Sequence, residues 1–243
     1  VNIELFSAIV SDYRKIYFRD KGAKKELYDT AYAEKMRAFS ARPLWRDEAE
    51  YALKGVCLPA NARALDVGCN NGGGTELLSK SLGVSFDGVD ISEPAIAMAR
   101  TKHPEKAERF HHYDGQHLPF DDQSFEFVSS MHVIGHVASP VDFLREVWRV
   151  LKPGGFLRIA TPNADYKLFA IVDSFISGYR PDPTVRRYFS SNRLHKTARD
   201  AGFTDIACST FGERPMLLRF LPDGAYGRIR IILKARKPEE TFI

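Results

Sequence analysis

The sequence predicts an α/β fold: a doubly wound, mostly parallel sheet of seven strands with an N-terminal helical cap. Three observations point there. From Ala62 onward, short β-rich runs alternate with helical patterns, each strand–helix pair taking about thirty residues, the rhythm of a parallel sheet covered on both faces. The first of these runs ends in an acid and a bare turn, ALDVGCNNGGGTELL at residues 64–78. The chain has 243 residues, enough for one large core, or one core and a small cap.

The elements follow in order. In residues 1–55, FSAIVSDYRKIYF and KKELYDTAYAEKMRAF place apolar groups at three- and four-residue spacings and predict the helices of the cap. RALDV is a strand, TELLSKSL a short helix stopped by Gly83, and VSFDGVD the next strand. Ser92 caps the helix of EPAIAMARTKH, with Pro94 in its first turn. RFHHYD and FEFVSSM are strands. Ser139, Pro140 and Asp142 open a helix with Leu144, Val147, Trp148 and Leu151 on one face, closed by Pro153, Gly154 and Gly155. FLRIAT is a strand; SNRLHKTARDAG is helical; IACST and YGRIRIILKAR complete the seven strands. Residues 163–189 have no clear period and are rich in aromatics. The predicted organisation is a cap over 1–55 and one domain over 62–243 with a lid insertion at 163–189.

Composition narrows the function classes. The net charge of +4 suits an anionic ligand or substrate but is too weak to argue for nucleic acid. Cys57, Cys69 and Cys208 are odd in number, well separated and form no CxxC pair, which speaks against a disulfide framework or a zinc site and for a reducing, cytoplasmic setting. The start VNIELFSAIVSD lacks a basic region, and YKLFAIVDSFISGY, broken by Asp173, is too short to span a bilayer. No membrane partner is expected.

The glycine stretch admits three ligand classes, because glycines between a strand and its helix let backbone approach a ligand closely. A nucleoside triphosphate loop would need lysine where Gly74 stands. A dinucleotide loop would need glycine where Asn70 stands. The third class uses the acid before the turn. DVGCNNG, residues 66–72, resembles the first motif of class I S-adenosylmethionine-dependent methyltransferases, [D/E]xGxGxG, with Asp66, Gly68 and Gly72 matching and Asn70 departing from the middle glycine. Asp90 ends the second strand, 24 residues later, where an acid accepts from ribose hydroxyls. YDGQHLPF, FEFVSSMHVIGHV, REVWRVLKPGGFLRIATPN and FSSNRLHKTARDAGFTDI resemble later family segments, in order. TPN, FSS and AGF resemble the type 11 and quinone- and sugar-type small-molecule O-methyltransferases.

The resemblance implies a Rossmann-like fold and S-adenosylmethionine as cofactor. It implies contacts from Asp66, Gly68, Cys69, Asn70 and Gly72 at the methionine end, from Asp90 and Ile91 at the ribose, from Asp114 and Gly115 at the adenine, and from Ser130 and Met131 at the fourth strand. Tyr28, in YDTAYAEK, resembles a tyrosine that closes over the methionine end, and equally reads as a core aromatic with Tyr32. A loop of N–H groups would meet the cofactor's carboxylate and an acid its ammonium.

If the acceptor is a hydroxyl, a base is needed. His132 and His136 are the candidates; four apart, they would share a face of a helical turn. Relatives pair a histidine at position 136 with an acid, but here Gly135 stands in the acid's place. His136 equally reads as a structural histidine, and His132 as a wall of the cleft. A metal between them, with Asp121 or Asp122, is not expected, since magnesium prefers oxygen ligands. His111, His112 and His117 read as surface or loop residues near the adenine, and Arg180, Arg186 and Arg187 as lid residues facing an anion or solvent. The expected activity is methyl transfer to a small molecule, with a homodimer left open. The alternatives are a nucleic-acid or protein methyltransferase, against which SSMH lacks the [D/N/S]PP[Y/F] pattern, and a non-catalytic S-adenosylmethionine-binding partner protein.

Overall fold

In the computed structural model, residues 43–164, 185–212 and 230–239 are described. The first element is α1 (Pro43–Leu53), the part of the expected cap that falls among them. Tyr28, Tyr32 and most of the expected lid, 165–184, lie outside. Next come β1 (Arg63–Val67), α2 (Gly73–Leu82), β2 (Ser85–Asp90), α3 (Glu93–Lys102) and β3 (Phe110–His112). Helix α2 starts at Gly72 and stops at Gly83, both left-handed, the conformation that glycine adopts without a Cβ penalty. Ser92 caps α3 as expected, its hydroxyl accepting from the Ala95 N–H at 3.3 Å.

The chain continues through β4 (Phe125–Met131), α4 (Pro140–Val150), β5 (Leu151–Pro162), α5 (Ser191–Asp200), β6 (Thr204–Phe211) and β7 (Arg230–Arg236). Ser139 caps α4. That helix ends earlier than expected. Leu151 already pairs with Phe125, and Lys152 to Gly155 bulge out before Phe156 pairs with Phe127. Pro153 and the two glycines therefore shape a bulge within β5 rather than the helix end, because pairing with β4 captures Leu151 first.

The seven strands among the described residues run β3-β2-β1-β4-β5-β7-β6. Only β7 runs against the others, pairing antiparallel with β5 and β6. This is the expected Rossmann-like, doubly wound, mostly parallel sheet. Its inner strands read as continuous apolar runs because both faces are covered. On one face, Leu65, Val128, Leu157, Ile159, Ile231 and Leu233 pack against Leu144 and Val147 of α4 and Leu194 of α5. On the other, Ala64, Phe86 and Phe127 pack against Ala49 and Leu53 of α1 and Leu78 of α2. Side chains of this class, wholly buried like Leu144, typically cost about 2–5 kcal/mol when cut to alanine.

Helix α1 also sits on a charged strip. The buried guanidinium of Arg158 (β5) donates to Ala52 O at 3.0 Å, and Lys234 (β7) donates to Lys54 O at 3.1 Å. Burial with no carboxylate beside it pulls Arg158 down to about 10. The last residues of α1 and the turn after it are thus fixed to the β5–β7 edge by hydrogen bonds as well as apolar contact.

Candidate active site

The chain leaves β1 toward β2 and β3 on one side, while β4 and β5 lie on the other. The order reverses between β1 and β4, and the crevice that ligands of such sheets use opens at the carboxyl ends of those two strands. The glycine loop after β1 and the turn after β4 flank it. They touch: Gly68 has φ +85°, and a Cβ there would strike Val133 Cγ2.

Asp66 is buried beneath the loop. Its Oδ2 accepts from the Thr75 hydroxyl at 2.8 Å and its Oδ1 from the Ser129 hydroxyl at 2.7 Å. Burial pushes its carboxyl up to about 6, against the two hydroxyls that favour the charged form. One acid thereby joins β1, the first turn of α2 and β4.

The loop's own N–H groups are engaged. Those of Gly68 and Cys69 donate to Val89 O, at 2.7 and 3.0 Å, and that of Gly72 to Cys69 O at 3.0 Å. Asn70 N–H donates to Asp90 Oδ2 at 2.9 Å, Asn71 N–H to Asn70 Oδ1 at 2.6 Å, and Gly73 N–H to Asn71 Oδ1 at 3.2 Å. The expected cradle of N–H groups for a ligand carboxylate is therefore corrected: from Gly68 to Gly73 they serve the loop. Asn70 has φ +49°, a left-handed conformation that asparagine tolerates better than most residues. That is how it stands in for the motif's middle glycine. Gly72 is required sterically as well, since a Cβ there would lie 2.8 Å from the Phe110 ring. Cys69 turns its side chain into the core beside Ile96, Ala99 and Phe110.

Asp90, at the end of β2, accepts from Asn70 N–H through Oδ2 and from Ser92 N–H through Oδ1, each at 2.9 Å. Burial raises its pKa, against those backbone donors. A carboxylate has about four acceptor positions, so the backbone donors of Asn70, Ser92 and Ile91 leave room for a ligand hydroxyl. Ile91 follows, half-buried, and a Cβ on Gly115 would lie 3.3 Å from its Cγ2. Asp114 is exposed and closes its own turn: Oδ1 accepts from the N–H groups of Gln116 and His117, both at 2.7 Å, while His117 Nδ1 lies 3.3 Å from Oδ2. Those backbone donors hold its carboxyl down to about 2. The loop beyond is pinned by Arg149 of α4, which donates to Leu118 O, Phe120 O, Asp122 and Glu146.

At the end of β4 the alternation of the strand decides which serine matters. Ser129 pairs in register with Asp66 and shares its face. Ser130 points to the opposite face, fully buried, with no partner for its hydroxyl among the described residues, so its side chain does not reach the loop. Met131 is half-buried against Ala160 and Ile232.

His132 has φ +63°, and the chain turns there. His136 N–H closes the following turn onto Val133 O at 2.8 Å. The two histidines therefore do not stack on one helical face as expected, because the left-handed residue ends the strand in a turn rather than a helix. Gly135, where the resemblance implied an acid, instead receives the N–H groups of Arg186 and Arg187 on its carbonyl, and a Cβ there would lie 3.0 Å from Arg187 O. The returning segment occupies the acid's space.

An acid reaches a histidine all the same, from a different element. Glu48 of α1, 1% exposed, puts Oε2 3.0 Å from His132 Nε2, and Arg230 Nε lies 3.7 Å from its Oε1. Burial raises the Glu48 pKa, but the charges of His132 and Arg230 and the hydrogen bond to His132 outweigh it, and the net direction is down. Sequence reading missed Glu48, Ser129 and Thr75. The available signal for Glu48 was an acid lying in the stripe of Ala49, Ala52 and Leu53.

Comparisons with known proteins give the family. A family model described as a methyltransferase domain matches residues 65–159. A ubiquinone biosynthesis O-methyltransferase of Maricaulis maris is 30% identical over 184 residues, 72% of each chain. The chain belongs to the class I S-adenosylmethionine-dependent methyltransferases. A 2-methyl-6-phytyl-1,4-hydroquinone methyltransferase of a Synechocystis strain is 36% identical over 107 residues, 44% of this chain and 34% of that one. The match thus spans about a third of that relative's length. Among solved structures, a Haemonchus contortus phosphoethanolamine N-methyltransferase in complex with S-adenosylmethionine shares the fold, with a TM-score of 0.64 and 19% identity over 89% of this chain and 60% of that one.

S-adenosylmethionine is the cofactor of this methyltransferase. The residues present fit it. Gly68 and Gly115, at φ +85° and +83°, keep the crevice rim bare, and Asp90 retains acceptor capacity beside it. Among the described residues no three histidine, cysteine, aspartate or glutamate side chains gather as metal ligands, and no helix is long and apolar enough to cross a membrane.

Proposed function

We propose that the enzyme transfers a methyl group from S-adenosylmethionine to a hydroxyl of a small molecule, of quinol or sugar type, with His132 as the base. The observation that carries this reading is the His132 ring at the carboxyl end of β4, on the switch point, 3.0 Å from a buried carboxylate. The quinone and quinol named for two relatives support the acceptor class. The bound cofactor supplies the activated methyl on its sulfonium. His132 takes the hydroxyl proton as the O–CH3 bond forms and the S–CH3 bond breaks. Base action of this kind is worth about 10²- to 10⁴-fold. His132 is favoured over His136 because its φ of +63° is a strained conformation of the kind that gathers at active sites.

In the same reading, Asp90 accepts from the ribose hydroxyls, with Ile91 beside it. Asp114 and Gly115 meet the adenine, and Met131 and the Ser130 backbone line the cleft. Asp66, Gly68, Cys69, Asn70 and Gly72 shape the methionine end. The free cysteines, Cys69 buried and Cys57 exposed, support a reducing cytoplasmic setting.

The test is incubation with S-adenosylmethionine and, separately, a hydroquinone, a free sugar and a primary amine, read by mass spectrometry. A methyl ether on either hydroxylated probe, lost in His132→Ala while cofactor affinity stays, is expected. Methylation of the amine alone, or full turnover in His132→Ala, would overturn the reading.

A further inference from the structure

We propose that Glu48 is the positioning residue of this site: it fixes the tautomer of His132 so that Nδ1 is the atom that receives the acceptor's proton. The proposal rests on the reading of His132 as base and deepens it. Glu48 comes from α1, outside the strand–helix frame that carries the cofactor motifs, and its side chain is 2% exposed against 16% for His132. The hydrogen bond from His132 and the charge of Arg230 favour its ionised form against burial. Among the described residues, the charged groups that α1 meets on the sheet are Arg158 of β5 and Arg230 and Lys234 of β7, all cations; Arg158 and Lys234 donate to carbonyls at and just beyond the carboxyl end of α1, and Arg230 faces the Glu48 carboxylate at 3.7 Å. Of the acids on this face, Asp66 accepts from Thr75 and Ser129, and Asp90 from the N–H groups of Asn70 and Ser92.

An ionised carboxylate only accepts hydrogen bonds. The 3.0 Å contact therefore requires a hydrogen on His132 Nε2. In the neutral ring the lone pair then lies on Nδ1. When Nδ1 takes the hydroxyl proton, positive charge develops on the imidazole directly against Glu48. The carboxylate thus orients the ring before reaction and stabilises the imidazolium as it forms, while the proton stays on the histidine. The acid–histidine pairing that Gly135 denies to His136 is supplied to His132 from another element.

The pairing also bears on the acceptor. Glu48 faces His132 on one oxygen and Arg230 on the other, so its charge is already compensated. A cationic amine would find no carboxylate to itself here, whereas a neutral hydroxyl needs only the Nδ1 lone pair.

The experiment uses the full chain and its Glu48→Gln and Glu48→Asp variants. Turnover of methylhydroquinone with S-adenosylmethionine is followed across pH, and the His132 ring nitrogens are followed by ¹⁵N NMR with S-adenosylhomocysteine bound. In Glu48→Gln, cofactor affinity should stay within about twofold while kcat falls by about 10-fold or more, since a histidine base no longer held in the productive tautomer loses much of its function. The acidic limb of the kcat profile should move to lower pH, since the carboxylate no longer favours the imidazolium. The ring should lose its single Nε2–H tautomer, and Glu48→Asp should restore part of both. An unchanged pH profile together with an unchanged tautomer in Glu48→Gln would overturn the proposal. If the wild-type chain methylates no hydroquinone, the acceptor reading falls, and the ring-nitrogen spectrum alone then decides for or against Glu48.

Discussion

The backbone N–H of Asn70 donates to Asp90 Oδ2 at 2.9 Å, across 20 residues of sequence. The side chain assigned to the ribose is thus also the side chain that holds the glycine loop in place. Asp90→Ala removes an acceptor from the cofactor and frees the N–H groups of Asn70 and Ser92. We expect S-adenosylmethionine and S-adenosylhomocysteine to bind about 1.5–3 kcal/mol more weakly, the range for hydrogen bonds to a charged group. Titration calorimetry checks this; unchanged affinity would remove the ribose assignment.

Asp66 makes stability depend on pH in the direction opposite to a salt-bridged acid. Its carboxyl rises from 3.8 to about 6 on folding. Between those values the folded chain keeps a proton that the unfolded chain has released, so stability falls as pH rises through that window. The full effect is roughly 3 kcal/mol at the scale of 1.36 kcal/mol per unit. Asp66→Asn should flatten that part of the profile. Urea midpoints measured from pH ~4 to ~7 test it, and parallel curves for the two proteins would sink the assignment.

Gly68→Ala should destabilise by more than the conformational cost of its φ of +85°, which for an L residue is about 1–2 kcal/mol. The added Cβ would also strike Val133 Cγ2. In the double variant with Val133→Ala, the steric part should be relieved and the conformational part should remain. Melting temperatures of the two variants separate the terms; equal values would mean that the contact with Val133 carries no strain.

Arg149 gathers two carbonyls and two carboxylates onto one guanidinium. Arg149→Lys keeps the charge but not the planar fork. It should cost about 1–3 kcal/mol for the acceptors left unmet and weaken cofactor binding through the loop that follows Asp114. Denaturant unfolding and calorimetry on the same variant check both; wild-type values would assign Arg149 to the solvated surface.

The strand–helix alternation, the helix caps and the motif residues were readable in the sequence because each depends on neighbours within a few positions. Ser92 caps α3 because its hydroxyl lies beside the first turn, and Gly83 stops α2 because the backbone there must turn left-handed. The cofactor class followed from the family resemblance that those motif residues carry. Three features required the assembled sheet. The end of α4 moved because β4 captured Leu151. Ser129 rather than Ser130 serves the loop because the register with β1 sets which face each one takes. Glu48 meets His132 across 84 residues of sequence. Local steric and hydrogen-bonding preferences act between residues that are already close in the chain. The partner of a buried charge is chosen only when separate elements pack and water is excluded, and that step is decided by the tertiary structure.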